Sequence, residues 1–391
     1  MVEIKNILVL GTGLMGNGIG QVALMAGYNV TLVDIVEAAL NKAAADIEGG
    51  LKKSEAKGQL GEGETAASVM TRCTKSSDLA SAVKNADIVI EAVVEKLSVK
   101  KDVCKTTMDN GPAHVIFASN TSTMSITDIG KDCGAPERVC GMHFFNPVPL
   151  MSCIEVIKSA DTSDDTFNVA MDVAKNLPCL RGKRYIAPVL KDRPGFIVNR
   201  VNAPVGIYRS YITDYAYENG IPWEQIDADT GGIMPMPPYV LADYVGLDTS
   251  YHAANYYAET LHPDFKPGKV TTMMIKEGKL GRKTGQGYYD WSKGRPEPDM
   301  SKKAGLLDLE LIMAIRLNEG CRLIEEGVVT GWKVIDDANM AGMNTPGPFG
   351  AGKNNWEKYT KKLEEFVEKS GREYLRPCEL MRTGKFVNMK K

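Results

Sequence analysis

The stretch NILVLGTGLMGNGIG, residues 6–20, decides the fold. Ile7-Leu8-Val9-Leu10 is an apolar run that reads as a buried strand. It passes directly into Gly11-Thr12-Gly13-Leu14-Met15-Gly16, a G-x-G-x-x-G that opens a helical pattern from Leu14 to Ala26. A second strand, Val30 to Val33, follows and ends at Asp34. The glycines alone would be a weak signal, but strand, glycine turn, helix and a strand closed by an acidic residue make up the full dinucleotide-binding pattern. Gly11 permits the tight turn, Gly13 lets backbone approach a pyrophosphate, and Gly16 allows close packing of helix on strand. Leu14 and Met15, between these glycines, are counted with them as cofactor-binding positions. The phosphate charge would face the unpaired N–H groups of the helix N-terminus. Asp34 would accept hydrogen bonds from the adenosine ribose and repel a 2′-phosphate, so the expected cofactor is NAD and not NADP.

Outward from this stretch, the first half of the chain keeps alternating short apolar runs with helix-period segments. Ile88 to Ile90, Val115 to Ala118 and Val139 to Met142 read as further strands, with helices over 36–57 and 97–109 between them. That order predicts a Rossmann-type, doubly wound parallel sheet with helices on both faces. From Phe196 onward the pattern is mainly helical, broken by Gly and Pro. Trp223, Ile226, Asp227 and Met234 recur 109 positions later as Trp332, Ile335, Asp336 and Met343. The helical region therefore reads as two tandem copies of one domain. The expected division is 1–192 for the NAD-binding domain, 193–300 for the first helical domain and 301–391 for a diverged second copy.

Composition narrows the classes of function. Forty-seven basic residues against 49 acidic ones give a net charge of −2, so no basic excess draws the chain to nucleic acid or an anionic membrane. No apolar run approaches the roughly 18 residues of a membrane span. Eight scattered cysteines include no C-x-x-C pair, and no His/Asp/Glu spacing suggests a metal site. The chain enters its first strand almost at once, which leaves no room for a leader peptide, and a cytoplasmic enzyme is expected.

Two clusters carry chemistry. Ser119-Asn120-Thr121-Ser122 directly follows a strand, at the sheet edge where open α/β folds bind ligands. His143-Phe144-Phe145-Asn146 also ends a strand, and twelve residues on, Glu155 interrupts the apolar run Ile154 to Ile157. A glutamate in a half-buried strand needs a partner. A hairpin-like return would bring it to His143, fixing the tautomer and offsetting an imidazolium, which makes His143 a candidate general base. His114, His252 and His262 lack such company and read as structural.

These motifs together resemble the L-3-hydroxyacyl-CoA dehydrogenases, which include the 3-hydroxybutyryl-CoA dehydrogenases. The resemblance rests on GTGLMGNGIG (11–20), EAVVEKLSVK (91–100), SNTS (119–122), HFFNPVPLM (143–151), PGFIVNR (194–200) and GRKTGQGYY (281–289). It implies reversible, NAD-dependent oxidation of an L-3-hydroxyacyl-CoA to the 3-oxoacyl-CoA, as in fatty acid β-oxidation. His143 would be the base oriented by Glu155, with Ser122 on the substrate hydroxyl and Asn199 beside the reacting carbon. By the same resemblance, Glu95, Lys100, Asn120 and Asn146 would line the cofactor site, and Lys57 would meet CoA from the helical arm. In the family, C-terminal domains of two chains pair as a dimer, so a tandem copy implies a monomer with a pseudo-dimeric helical core, with a homodimer as the alternative. The sequence departs from the family pattern at Gly50, where a serine is usual, and at Pro237, where glycine is usual. The segment Arg181 to Lys191 is about six residues longer than the family's, and Thr383 to Phe386 replaces a Gly-x-Gly-Tyr-Tyr. Two other readings stay open at this point: a dehydrogenase of a free hydroxy acid or sugar acid, and a non-catalytic NAD-binding protein.

Overall fold

The computed structural model describes residues 3–234 and 236–389; Pro235, within the loop Met234 to Pro238, and the terminal Lys390 and Lys391 lie outside them. The chain forms two compact units. The first runs through Val198 and also takes in Glu326–Gly347; the second holds Asn199–Glu325 and the chain from Pro348 onward.

The first unit is built on one eight-stranded sheet of order β3-β2-β1-β4-β5-β6-β7-β8. Its strands are β1 (Asn6–Leu10), β2 (Asn29–Val33), β3 (Cys73–Ser76), β4 (Ile88–Glu91), β5 (Ile116–Ser119), β6 (Val139–Phe144), β7 (Cys153–Ile157) and β8 (Tyr185–Val189). All neighbours run parallel except β6 and β7. The central strands are buried on both faces and so read as unbroken apolar runs. The covering helices are α1 (Leu14–Met25), α2 (Glu37–Glu55), α3 (Ala66–Met70), α4 (Leu79–Ala82), α5 (Leu97–Asn110), α6 (Ile126–Gly130) and α7 (Asp164–Asn176).

The edge strand β3 escaped the apolar pattern for a simple reason. An edge strand has a single neighbour and needs little apolar surface. β3 is CTKS, with both central residues exposed. β8 carries Pro188, whose missing N–H is harmless where no further strand pairs. The long segment 181–191 is thus the outer strand of the sheet, anchored by the buried Arg184. That guanidinium donates to the carbonyls of Leu177 (3.2 Å), Met151 (2.5 Å) and Val148 (3.0 Å). Gly50 also has a local reason, since a Cβ there would sit 2.5 Å from the side chain of Gln21 on α1.

The second unit contains α8 (Val198–Asn202, which begins on the last residue of the first), α9 (Val205–Glu218), α10 (Trp223–Ala228), α11 (Pro238–Val245), α12 (Leu247–Thr260), α13 (Lys269–Lys276) and α14 (Leu309–Glu325). The next helix, α15 (Trp332–Met343), buries Trp332, Ile335 and Ala338 and packs on β7 and β8 of the first unit, whose segment Glu326–Gly347 contains it. α16 (Pro348–Gly352), α17 (Trp356–Ser370) and α18 (Glu379–Thr383) return to the second unit. Pro237 caps α11, so proline is tolerated there because its fixed φ suits a helix entry. The GRKTGQGYY loop wraps the carboxylate of Asp243. That side chain accepts the N–H groups of Tyr288 and Tyr289 (both 2.9 Å) and Nε1 of Trp291 (3.0 Å). Gly287 is required because a Cβ would lie 2.1 Å from the Asp243 carboxylate. Among the described residues, no helix is long and apolar enough to cross a membrane, and no group of three His, Cys, Asp or Glu side chains is placed to hold a metal.

Candidate active site

The strand order reverses beside β1, which lies between β2 and β4, and a crevice at the carboxyl ends of these strands is where such sheets bind nucleotides. The glycine turn is shaped for that. Gly11 has φ of +90°, and a Cβ on it would sit 2.6 Å from the carbonyl of Ala92. A Cβ on Gly16 would collide with the carbonyl of Gly11 at 1.8 Å. Gly13 has nothing within 4 Å of its Cβ position, so its open side admits a ligand. It caps α1 without a side-chain hydrogen bond, and the first turn of α1 holds no acidic residue. The N-terminal amides therefore face an anion without a competing carboxylate. Leu14 beside them is 73% exposed.

Asp34 is fixed by Thr12, whose N–H (2.8 Å) and hydroxyl (2.9 Å) both donate to Oδ2. Partial burial pushes this carboxyl up, but the amides of Thr12 and Val36 and the Thr12 hydroxyl outweigh it and hold it below the ordinary value. An ionised, half-exposed carboxylate at the end of β2 suits a ribose diol. Ile35 and Val94 are exposed beside this edge at 91% and 67%, apolar surface of the kind an adenine ring covers. These features fit the NAD that the sequence pattern implies.

His143 and Glu155 sit opposite one another in the antiparallel register of β6 and β7. His143 Nδ1 lies 2.6 Å from Glu155 Oε2, and both residues are buried. The other carboxylate oxygen accepts the N–H groups of Ile197 (3.1 Å) and Val198 (2.9 Å). The backbone reaches that position through two consecutive left-handed residues, Gly195 (φ +79°) and Phe196 (φ +53°). For a phenylalanine this conformation costs on the order of 1–3 kcal/mol, and such strain persists where surrounding contacts enforce it. The Phe196 and Phe145 rings lie 5.8 and 4.6 Å from the His143 ring. A carboxylate already accepting two amides accepts from the imidazole too. Nδ1 therefore carries the proton, and Nε2 is left as an acceptor.

A second buried cluster joins the loops after β4 and β5. Glu91, at the end of β4, is wholly buried and accepts from Lys100 Nζ (2.7 Å), Ser119 Oγ (2.5 Å) and the N–H of Val93 (2.8 Å). The same ammonium lies 3.0 Å from Glu95. Glu95 accepts from the Thr121 hydroxyl and from the N–H of Ser122 (3.3 Å). Burial raises the Glu95 carboxyl, but Lys100 and Thr121 outweigh it and bring it below the ordinary value. Asn120 accepts the N–H of Phe144 (2.9 Å), which ties the SNTS loop to the strand carrying His143.

The carboxyl edge thus gathers Gly11, Gly13, Gly16, Asp34, Glu95, Asn120, Ser122 and His143, with Glu155 behind the histidine. Asn146 follows in an exposed loop. Lys100, expected at the cofactor ribose, is 1% exposed, and its ammonium faces Glu91 and Glu95. Asn199 is the next residue after Val198 and belongs to the second unit. Lys57 is exposed just beyond α2, a 19-residue helix about 28 Å long. His114 bonds Asp87 (3.0 Å) and His262 accepts the N–H of Asp264 (3.2 Å), both structural pairings. The sequence reading gave Thr12 and Glu91 no role of their own. Glu91 was within reach by the argument that found Glu155, since it too is an acid closing an apolar strand.

A Rossmann-type sheet with a dinucleotide turn and a strand-end histidine backed by a carboxylate defines the class of NAD-dependent dehydrogenases. Comparison with known proteins sharpens that. The NAD binding domain of 3-hydroxyacyl-CoA dehydrogenase matches residues 6–185, and the C-terminal domain of the same family matches 195–291. The mitochondrial hydroxyacyl-coenzyme A dehydrogenase of Sus scrofa is 39% identical over 298 residues, 74% of this chain and 91% of its own. A probable 3-hydroxybutyryl-CoA dehydrogenase of Bacillus subtilis is 37% identical over 74% of this chain and 99% of its own. Among solved structures, the 3-hydroxybutyryl-CoA dehydrogenase of Escherichia coli aligns over 98% of both chains, with TM-score 0.83 and 25% identity. The (S)-3-hydroxybutyryl-CoA dehydrogenase of Ralstonia eutropha aligns over 74% of this chain and all of its own, with TM-score 0.66 and 35% identity. The chain belongs to the 3-hydroxyacyl-CoA dehydrogenase family, and it is an NAD-dependent oxidoreductase.

Proposed function

We propose that this chain interconverts an L-3-hydroxyacyl-CoA and the 3-oxoacyl-CoA. The observation that carries the reading is the contact of His143 Nδ1 with Glu155 Oε2 at 2.6 Å, with the second carboxylate oxygen held by two amides. In the oxidation, Nε2 of His143 takes the proton of the C3 hydroxyl. Bound NAD supplies the two-electron acceptor for the hydride that leaves the same carbon. The imidazolium formed is offset by Glu155, which keeps its own proton inventory unchanged. Ser122 and Asn199 hold the oxygen as it changes from hydroxyl to carbonyl, and Glu95 and Asn120 shape the nicotinamide end. The exposed Lys57 and Lys53 at the end of α2 offer positive charge for the phosphates of CoA, while Lys52 pairs with Glu48 (2.6 Å).

The tandem arrangement belongs to the same proposal. The series α9 to α13 recurs in order as α14 to α18, and the short 3₁₀ turn Pro263–Phe265 recurs as Glu373–Leu375. Equivalent parts of the two series touch: α9 packs on α14, and Tyr374 meets Phe265 edge to face, ring centres 4.6 Å apart, while its N–H donates to Asp264 (2.8 Å). Self-paired contact of equivalent surfaces is the mark of a two-fold interface. It supports 193–300 and 301–391 as copies pairing within one chain.

An NADH oxidation assay over 3-oxoacyl-CoA esters of increasing length, run beside free acetoacetate, tests the reading. Turnover of the CoA esters supports it. Turnover confined to the free acid would move the substrate to the free hydroxy acids, and NAD binding with no turnover would end the enzymatic proposal.

A further inference from the structure

Arg200 follows Asn199 in the chain, and its side chain is among the largest wholly buried ones in the protein, at 1% exposure. A guanidinium in that position is tolerated only with a partner. The partner is Glu319 on α14, itself 1% exposed, whose Oε1 accepts from Arg200 Nε. The same oxygen accepts the Tyr374 hydroxyl at 2.7 Å, and Oε2 accepts from Arg322 Nη1 at 3.1 Å. The Arg322 guanidinium lies 4.3 Å over the Tyr374 ring, so the tyrosine is held on its face as well as at its hydroxyl. Glu319, Arg322 and Tyr374 all come from the last 91 residues, outside the 195–291 span that matches the family's C-terminal domain.

The placement matters because α8 is only five residues long. A helix of about 1.4 turns has no stability of its own. Something must fix the direction of Asn199, and the adjacent residue is locked by a charge-assisted bond whose acceptor is locked in turn. We infer that Glu319 and Tyr374 are positioning residues for the dehydrogenase reaction, acting through Arg200 on Asn199. The inference rests on the role given to Asn199 above. It gives the second helical copy a part in the chemistry beyond covering an apolar surface.

The test is a double-mutant cycle on the full chain, with acetoacetyl-CoA and NADH as the probes. Tyr374→Phe removes one hydroxyl and leaves the ion pair intact, so it keeps the test open even if Glu319→Gln, which strands a buried guanidinium, does not fold. The expected result is a fall in kcat of about tenfold for Tyr374→Phe, with KM for NADH unchanged, as misplacement of a substrate-orienting group gives. In an Asn199→Ala background the same change should cost less than about twofold, since the group it positions is already gone. Losses that multiply, or a wild-type kcat for Tyr374→Phe, overturn the inference and leave the role of Asn199 standing. A wild-type kcat and KM for Asn199→Ala alone would remove Asn199 from the site and this inference with it.

Discussion

Two glutamates in one sheet carry the lesson of this molecule. Glu91 and Glu155 are both wholly buried, and each interrupts an apolar strand. Glu91 faces the ammonium group of Lys100, and its remaining capacity goes to Ser119 and the Val93 amide. Glu155 faces an imidazole and two amides. The first arrangement joins the end of β4 to the end of β5 and to α5. The second contains an imidazole, with one nitrogen bound to the carboxylate and the other left as an acceptor, which is the arrangement the proposed proton transfer uses. What distinguishes the two glutamates is the partner, since burial and residue type are the same.

The largest effect expected from that difference is at Glu155. Glu155→Gln turns an amide NH₂ toward Nδ1, forces the proton to Nε2, and removes the base; turnover should fall roughly 10²–10⁴-fold. His143→Ala should cost a similar factor, and the double variant little more, because the two act as one unit. Steady-state kinetics with a fluorescence titration of NADH decides it: near-normal turnover for Glu155→Gln would erase the contrast.

At Glu91 the expected loss lies in stability. Lys100→Met leaves Glu91 buried without a cation, a change worth about 3–5 kcal/mol. Urea unfolding should register it, while turnover per folded molecule falls far less than for Glu155→Gln. The opposite order would make the Glu91 cluster catalytic.

Asp34 is a third kind of carboxylate, half-exposed, with Thr12 holding one oxygen. Asp34→Ala should weaken NAD by about 1.5–3 kcal/mol, the value of hydrogen bonds to a charged group, and narrow the preference over NADP. Dissociation constants for both cofactors check this; an unchanged preference would mean that the ribose is held elsewhere.

Asp227 is the smallest case, a buried carboxylate with no cation facing it among the described residues. Burial pushes it up to about 6 from 3.8, against the lowering from the Tyr239 amide and the Tyr289 hydroxyl. The folded state then holds more protons than the unfolded one between about pH 4 and 6, so this group's contribution to stability declines as pH rises through that window and is level above it. Against an Asp227→Asn variant, the wild-type unfolding midpoint should lose a few degrees of relative advantage from pH 4 to 6. A difference between the two that does not vary with pH would mean the carboxylate titrates normally.

Much of the site was legible in the chain because local chemistry demanded it. The glycine turn, Asp34, the SNTS loop, His143 and Glu155 are required by strand ends, a backbone approach or a buried charge, each readable within a dozen residues. Lys100 was legible as a residue but not in its contacts, since a lysine looks the same whether it meets a ligand or two glutamates. The edge strand β3 carried no apolar signature because it buries little.

By itself the sequence determined the glycine turn, the type of sheet and a strand-end histidine as the candidate base, all of which follow from short-range pattern and backbone geometry. Only the tertiary structure decided that β6 and β7 pair with His143 opposite Glu155, and that Arg200 finds Glu319 across 119 positions of chain. It also decided that Glu326–Gly347 lies with the sheet and not with its neighbours in sequence. The physical reason is that a buried charge announces a need for a partner, but which partner answers depends on the packing of segments far apart in the chain.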